Sequence, residues 1–209
     1  MGEFPPESSR VRTPLVAAGQ RVGIMGGSFN PAHDGHRIVA ETAVKRLGLD
    51  QLWWLVTPGN PLKENSGLPT QSERMTAARA FAKGPRMKVT GFEAHLGSPY
   101  TAATLAYLQR RYPDVRFVWV MGADNLAGFN RWQKWQQIFQ TVPIAVVDRP
   151  GYRLAALAGP AAQRFAAARM DEADAAALPG RRAPAWVFLT TRLSPLSSTL
   201  LRQKRPSSG

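Results

Sequence analysis

His33 and His36 are two of only three histidines in this 209-residue chain. They close the run Gly26-Gly27-Ser28-Phe29-Asn30-Pro31-Ala32-His33-Asp34-Gly35-His36. Imidazole is the side chain whose ordinary pKa lies nearest neutrality, so it can hold or share a proton there. Three residues apart at a helix entrance, both rings can face one ligand. Gly26 and Gly27 follow a short apolar run, and without a Cβ they let the backbone turn sharply and approach that ligand. Pro31 fixes the loop. Asp34 is placed to cap a helix beginning at Gly35, whose free first-turn amides favour an anion. Together these features suit nucleotide phosphates.

Two better-known phosphate loops are excluded. No Gly-Lys-Ser/Thr closes a Walker loop, and the third glycine of the dinucleotide fingerprint is missing. A metal site on the histidine pair finds no support, because the chain has no cysteine and His95 is the one other histidine. Lys+Arg 27 against Asp+Glu 14 gives a net charge of +13. Such an excess concentrates polyanions without saying which. A basic nucleic-acid module is disfavoured, since the basic residues are scattered and no RRM, KH or zinc-finger pattern is present.

The first twenty residues hold Pro5, Pro6, Glu7, Arg10, Arg12 and Pro14 without an apolar core. Residues 1–20 therefore read as a disordered leader rather than a signal peptide or anchor. Residues 21–203 read as one domain and 204–209 as a basic tail. No segment approaches the roughly 20 apolar residues of a spanning helix. The expectation is a cytoplasmic protein with neither membrane nor nucleic acid as partner.

The elements that must position the histidines follow from apolar runs. Strands are expected at Arg21–Met25, Gln51–Val56, Met87–Phe92, Val115–Met121, Val142–Val147 and Trp186–Leu189. Their near-continuous hydrophobicity suggests burial on both faces, as in parallel sheets. Helices are expected at His36–Leu47, Gln71–Ala82, Thr101–Arg111 and Trp132–Gln140. The alternation predicts an α/β fold, a doubly wound Rossmann-like parallel sheet flanked by helices. Alanine-rich Ala155–Ala177 reads as a helical insertion broken at Gly159-Pro160. It either covers the site or builds a homo-oligomer contact. Leu178–Pro184 reads as a basic loop. In such a sheet ligands bind outside the carboxyl ends of the strands, where the histidine run falls. Asp124 follows the fourth strand and either binds a ribose hydroxyl or caps a helix; its strand-end position favours the ribose. Trp135, Ile138 and Phe139 make an aromatic and aliphatic stripe of the kind that packs a core.

The histidine run resembles the GxFxPxHxGH signature of the nucleotidylyltransferase superfamily, with His33-Asp34-Gly35-His36 as its HxGH element. Ser198-Thr199-Leu200-Leu201-Arg202 resembles that superfamily's C-terminal SSTxxR element. Within the superfamily the chain is most similar to bacterial nicotinate-nucleotide adenylyltransferases. Ser98-Pro99-Tyr100-Thr101-Ala102-Ala103-Thr104-Leu105, Met121-Gly122-Ala123-Asp124-Asn125-Leu126, Arg131-Trp132 and Arg149-Pro150-Gly151-Tyr152 carry this likeness, which covers about residues 21–203.

The resemblance implies that ATP and nicotinate mononucleotide give deamido-NAD and pyrophosphate, with Mg²⁺ accompanying ATP. It implies His33 and His36 as catalytic residues. Gly26, Gly27, Ser28, Phe29, Asn30, Gly122, Asp124, Ser198, Thr199 and Arg202 would join them around ATP. Taken alone, Ser198 and Thr199 are an ordinary helix cap; paired with the first signature they become phosphate ligands. Tyr100 and Thr101 would recognise the nicotinate, and Trp132 would stack on its ring. Lys63 either meets substrate phosphate or is a solvated loop lysine. Arg149 either reaches the substrate's adenosine or covers the site from the surface. Sibling enzymes remain open: adenylyltransferases for nicotinamide mononucleotide or phosphopantetheine, and cytidylyltransferases. Tyr100-Thr101 with Trp132 favours a pyridine nucleotide.

Overall fold

A computed structural model describes residues 11–59 and 67–191. Seven strands form one sheet: β1 Arg21–Gly27, β2 Gln51–Val56, β3 Met87–Thr90, β4 Arg116–Gly122, β5 Ile144–Val147, β6 Arg169–Met170 and β7 Trp186–Leu189. Their order is β3-β2-β1-β4-β5-β7-β6. Every pairing is parallel. The expected doubly wound sheet is therefore present. The chain reverses its direction of travel across the sheet between β1 and β4, which opens a crevice at their carboxyl ends.

The strand residues alternate between two cores, as a period of two requires. Ile24, Trp53, Leu55, Phe117, Trp119, Ile144, Val146 and Trp186 face one side. Met25, Leu52, Trp54, Val118, Val120, Ala145 and Val187 face the other. The first side is covered by α3 Thr101–Arg111, α4 Ala123–Ala127, α5 Trp135–Thr141, α6 Arg153–Ala158 and α7 Pro160–Arg164. The second is covered by α1 Asp34–Leu47, α2 Gln71–Arg79 and a 3-10 segment at Glu172–Gly180.

Several expectations need correction. Residues 11–20 are tied to the domain at several points rather than forming a disordered leader, although Leu15 and others remain exposed. Val11 is buried in the core, Thr13 and Tyr112 share a hydroxyl hydrogen bond of 2.5 Å, and the Gly19 amide donates to the Asp114 carbonyl. One buried valine and a few polar bonds hold this stretch, which composition alone does not display. Residues 1–10 and the tail 204–209 lie outside the described residues.

The helix expected from Trp132 begins only at Trp135. Lys134 adopts left-handed backbone (φ 54°) and separates it from a 3-10 turn at Phe129–Arg131. The alanine-rich stretch is a string of short pieces rather than a helical insertion. It breaks at Gly159-Pro160, with Pro160 opening α7, and then yields the two-residue strand β6. Tertiary packing overrides alanine's helix preference there. Phe165 stacks flat on Phe139 at 4.2 Å, and Ala175 and Leu178 are buried on the opposite core. The basic loop likewise begins later than expected, because residues 178–180 belong to the 3-10 segment.

Candidate active site

β1 ends at Gly27, and the chain crosses the carboxyl edge of the sheet before entering α1. The unusual backbone of this crossing falls on Phe29 (φ 47°), not on the glycines, which remain extended within β1. Gly26 is small for a different reason from the one expected. A Cβ there would lie 2.5 Å from Cη2 of Trp119, whose ring lies over it from the adjacent strand. The Phe29 ring is buried beside Trp54 at 5.2 Å, so this side chain supports the loop from below.

His33, not Asp34, is the N-cap residue of α1. Asp34 already lies within the first turn, where its carboxylate pairs with Arg37 at 2.9 Å. The His33 amide donates to Nδ1 of His36 at 3.3 Å. That bond assigns the neutral ring proton of His36 to Nε2. The two imidazoles lie 3.9 Å apart between centroids, and Phe29 packs edge-on against His36 at 5.0 Å. His33 is 2% exposed. Neither of its ring nitrogens has a partner among the described residues. A buried polar group left so costs on the order of 1–3 kcal/mol, and an incoming ligand can satisfy it.

Burial lowers the His33 pKa to about 4; nearby Arg149 pushes the same way, against Asp124 and Asp34. Burial also holds His36 well below its ordinary value, with His33 and Arg149 adding to the effect. Both rings are therefore neutral at pH 7, each carrying one N–H.

Gly122, Asp124 and Arg149 come to the same crevice. Arg149 Nε donates to Asp124 Oδ1 at 3.1 Å. A Cβ on Gly122 would collide with that carboxylate oxygen and lie 3.1 Å from Arg149 Nε. The glycine at the end of β4 thus makes room for the ion pair. Arg149 is further held by its backbone N–H, which donates to buried Asp148 at 2.9 Å. Asp148 also accepts from Arg153 Nε at 2.9 Å. Of the two roles considered for Asp124, helix capping is not seen, because no side-chain cap bond forms at α4.

Trp132 is half-buried, with its ring 4.9 Å from Phe129 and 6.1 Å from Trp119. Trp119 thereby connects Trp132 to the Gly26 end of β1. Ile138 and Phe139 are fully buried, as their stripe predicts. Tyr100 precedes α3 and Thr101 opens it, both half-buried. They share the carboxyl edge with the histidines but make no hydrogen bond or ring contact with them among the described residues. Lys63, Ser198, Thr199 and Arg202 lie outside the described residues. Among the described residues no cluster of three or more histidine or carboxylate groups could hold a metal ion.

Two residues escaped the reading of the sequence. Arg74, on α2, is 2% exposed and donates to four backbone carbonyls. Thr57 follows β2 with its hydroxyl buried and unpartnered among the described residues. A helical arginine and a loop threonine are ordinarily solvated, so neither carried a signal in the sequence.

The cytidylyltransferase-like family profile matches residues 24–204. A curated relative from Rhizobium meliloti (strain 1021) is 59% identical over 184 residues, spanning 88% of this chain and 98% of its own length. One from Agrobacterium fabrum is 57% identical over 181 residues, spanning 87% and 97%. Both are named "Probable nicotinate-nucleotide adenylyltransferase". The chain belongs to the nicotinate-nucleotide adenylyltransferases. Its fold agrees with that membership. Plasmodium falciparum nicotinic acid mononucleotide adenylyltransferase complexed with NaAD superposes with a TM-score of 0.66 at 15% identity, covering 88% of this chain and 83% of the other. At that identity the likeness concerns the fold. In this chain the histidine pair stands at the mouth of the crevice between β1 and β4.

Proposed function

We propose that this adenylyltransferase joins the adenylyl group of ATP to nicotinate mononucleotide at the crevice between β1 and β4, giving deamido-NAD and pyrophosphate. The observation that carries the siting is His33, buried with both ring nitrogens unpartnered among the described residues, beside His36 with Nε2–H available. A 5′-phosphate oxygen of the mononucleotide attacks the α-phosphorus of ATP. A new P–O bond forms as the bond to the bridging oxygen of the β-phosphate breaks, and pyrophosphate leaves with the electron pair. No covalent enzyme intermediate is needed, so the protein's task is positioning and charge stabilisation. His36 donates Nε2–H to the oxygens that gain charge, and His33 gains the partners it lacks. A neutral imidazole N–H can donate to phosphate oxygens that are already anionic and to the bridging oxygen that gains further charge during transfer.

Around them Gly26, Gly27, Ser28 and Asn30 line the phosphate loop, and Ser198, Thr199 and Arg202 complete the triphosphate contacts. Asp124 binds a ribose hydroxyl with its second carboxylate oxygen while Arg149 holds the first. Tyr100 and Thr101 present the unpaired amides of α3, which favour a pyridine carboxylate over a carboxamide. Trp132 offers the ring for stacking, and Lys63 meets the mononucleotide phosphate. An Mg²⁺ accompanying ATP would supply further charge stabilisation at the phosphates; among the described residues no cluster of carboxylates that would hold it is present. The reaction belongs in the cytoplasm.

The test is pyrophosphate release from ATP with either nicotinate or nicotinamide mononucleotide. Turnover should be clearly higher with the acid. Equal or faster use of the amide overturns the acid-specific reading, and turnover with neither overturns the reaction.

A further inference from the structure

Among the described residues, Arg74 is the buried cation that the reaction above does not use. It lies on α2, whose N-terminus is fixed by the Thr70–Glu73 capping box. Nε donates to the Pro69 carbonyl at 2.9 Å, and Nη1 to the carbonyls of Ser28 and Thr57, each at 2.8 Å. Nη2 donates to the Pro58 carbonyl at 2.9 Å. Ser28 belongs to the loop that delivers His33 and His36; Thr57 and Pro58 begin the segment after β2. Three separate stretches of the carboxyl edge therefore meet on one guanidinium. Burial lowers its pKa without any charged partner contributing. A charge buried this deeply is costly unless it is well bonded, so four carbonyls gathered on it mark a built junction. Only the planar fork of arginine can donate in these directions at once; a lysine ammonium cannot.

We infer that Arg74 is a positioning residue for adenylyl transfer: by gripping the Ser28, Thr57 and Pro58 carbonyls it fixes the phosphate loop so that the His33–His36 pair meets the reacting phosphates. The inference rests on the siting proposed above. It acts through backbone, so its loss should lower kcat more than it raises KM.

The test compares the full-length enzyme with Arg74→Lys and Arg74→Met, with His36→Ala in parallel. Arg74→Lys should still fold, melt several degrees below the parent and, assayed well below its melting temperature, lose kcat about 100-fold, as an ångström-scale misplacement does. KM for each substrate should change less than about threefold, because ground-state contacts are made elsewhere. Imidazole ¹⁵N spectra give a readout that stability alone would not move. With three histidines in the chain the signals are few. His36 of the parent should show the Nε2–H tautomer, and Arg74→Lys should show a mixture as the His33 N–H to Nδ1 bond loosens. Near-parental kcat in folded Arg74→Lys overturns the inference, as does a kcat loss with an unchanged His36 tautomer. If neither Arg74 variant folds, the residue serves global stability and the inference is likewise overturned. An active His36→Ala would instead sink the siting itself, and so distinguishes the two failures.

Discussion

His33 places an imidazole where water does not reach, and this has a consequence for stability as well as for chemistry. Its folded pKa of about 4 lies below the ordinary value of 6.5. Between those values the unfolded chain binds the proton and the folded one does not. Stability from this group is therefore complete above pH 6.5 and is lost as pH falls toward 4. The total is at most about 3 kcal/mol by linkage. The melting temperature of the parent should thus fall more steeply from pH 6.5 to 5 than that of His33→Gln, compared by calorimetry. Parallel curves would show that His33 is not buried as a neutral ring. A ligand that accepts from the ring N–H, or whose negative charge favours the imidazolium, offsets part of this penalty on binding.

Glu93 illustrates how an element is held where the site needs it. It lies in the 3-10 turn Phe92–His95 after β3 and is 2% exposed. Thr104 of α3 donates its hydroxyl to Glu93 Oε1 at 2.6 Å, while Oε2 has no partner among the described residues. The bond ties that turn to α3 one helical turn beyond Tyr100 and Thr101. Burial raises the Glu93 pKa to about 7, and the Thr104 bond opposes this only in part. Here the sign is the reverse of an ordinary carboxylate. The folded state holds the proton more tightly, so stability is lost as pH rises from the unfolded value of 4.5 through 7. Glu93→Gln, neutral at every pH, should therefore gain on the parent by up to about 3 kcal/mol between pH 5 and pH 8. A stability difference that stays constant across that range in denaturant titrations would refute a neutralised, buried Glu93. If Tyr100 depends on this anchor, the variant's KM for the mononucleotide should also move.

At the scale of the whole molecule, one sheet carries two cores and the segment ahead of β1 closes the end of one of them. Val11 is buried against the cluster that contains Phe117 and Trp119. Val11→Ala should cost roughly 1–2 kcal/mol, in line with buried-methyl deletions, with no change in kcat. A thermal midpoint equal to the parent's would return the segment to the leader its composition suggests. The net charge of +13 acts at this same scale. It raises the local concentration of anionic substrates without defining a site, and no described helix is long and apolar enough to cross a membrane.

The amino-acid sequence by itself determined what short-range patterns can encode. Apolar runs of strand length marked β2 and β7 to the residue, and helical periodicity marked α3 between them. The strand–loop–helix setting of His33 and His36 placed them at the carboxyl edge. Trp132 showed the limit. Its aromatic spacing reads as helix, yet the helix starts at Trp135 behind a left-handed Lys134, a local choice made by packing. What only the tertiary structure decided involves partners far apart in the chain. Gly26 is glycine because of Trp119, which arrives from a strand three positions later in chain order. Asp124 is held by Arg149, and Arg74 binds a loop 46 residues earlier. The physical reason is common to all three. A buried polar or aromatic side chain is explained by the groups that enclose it, and that enclosure exists only once the sheet has formed.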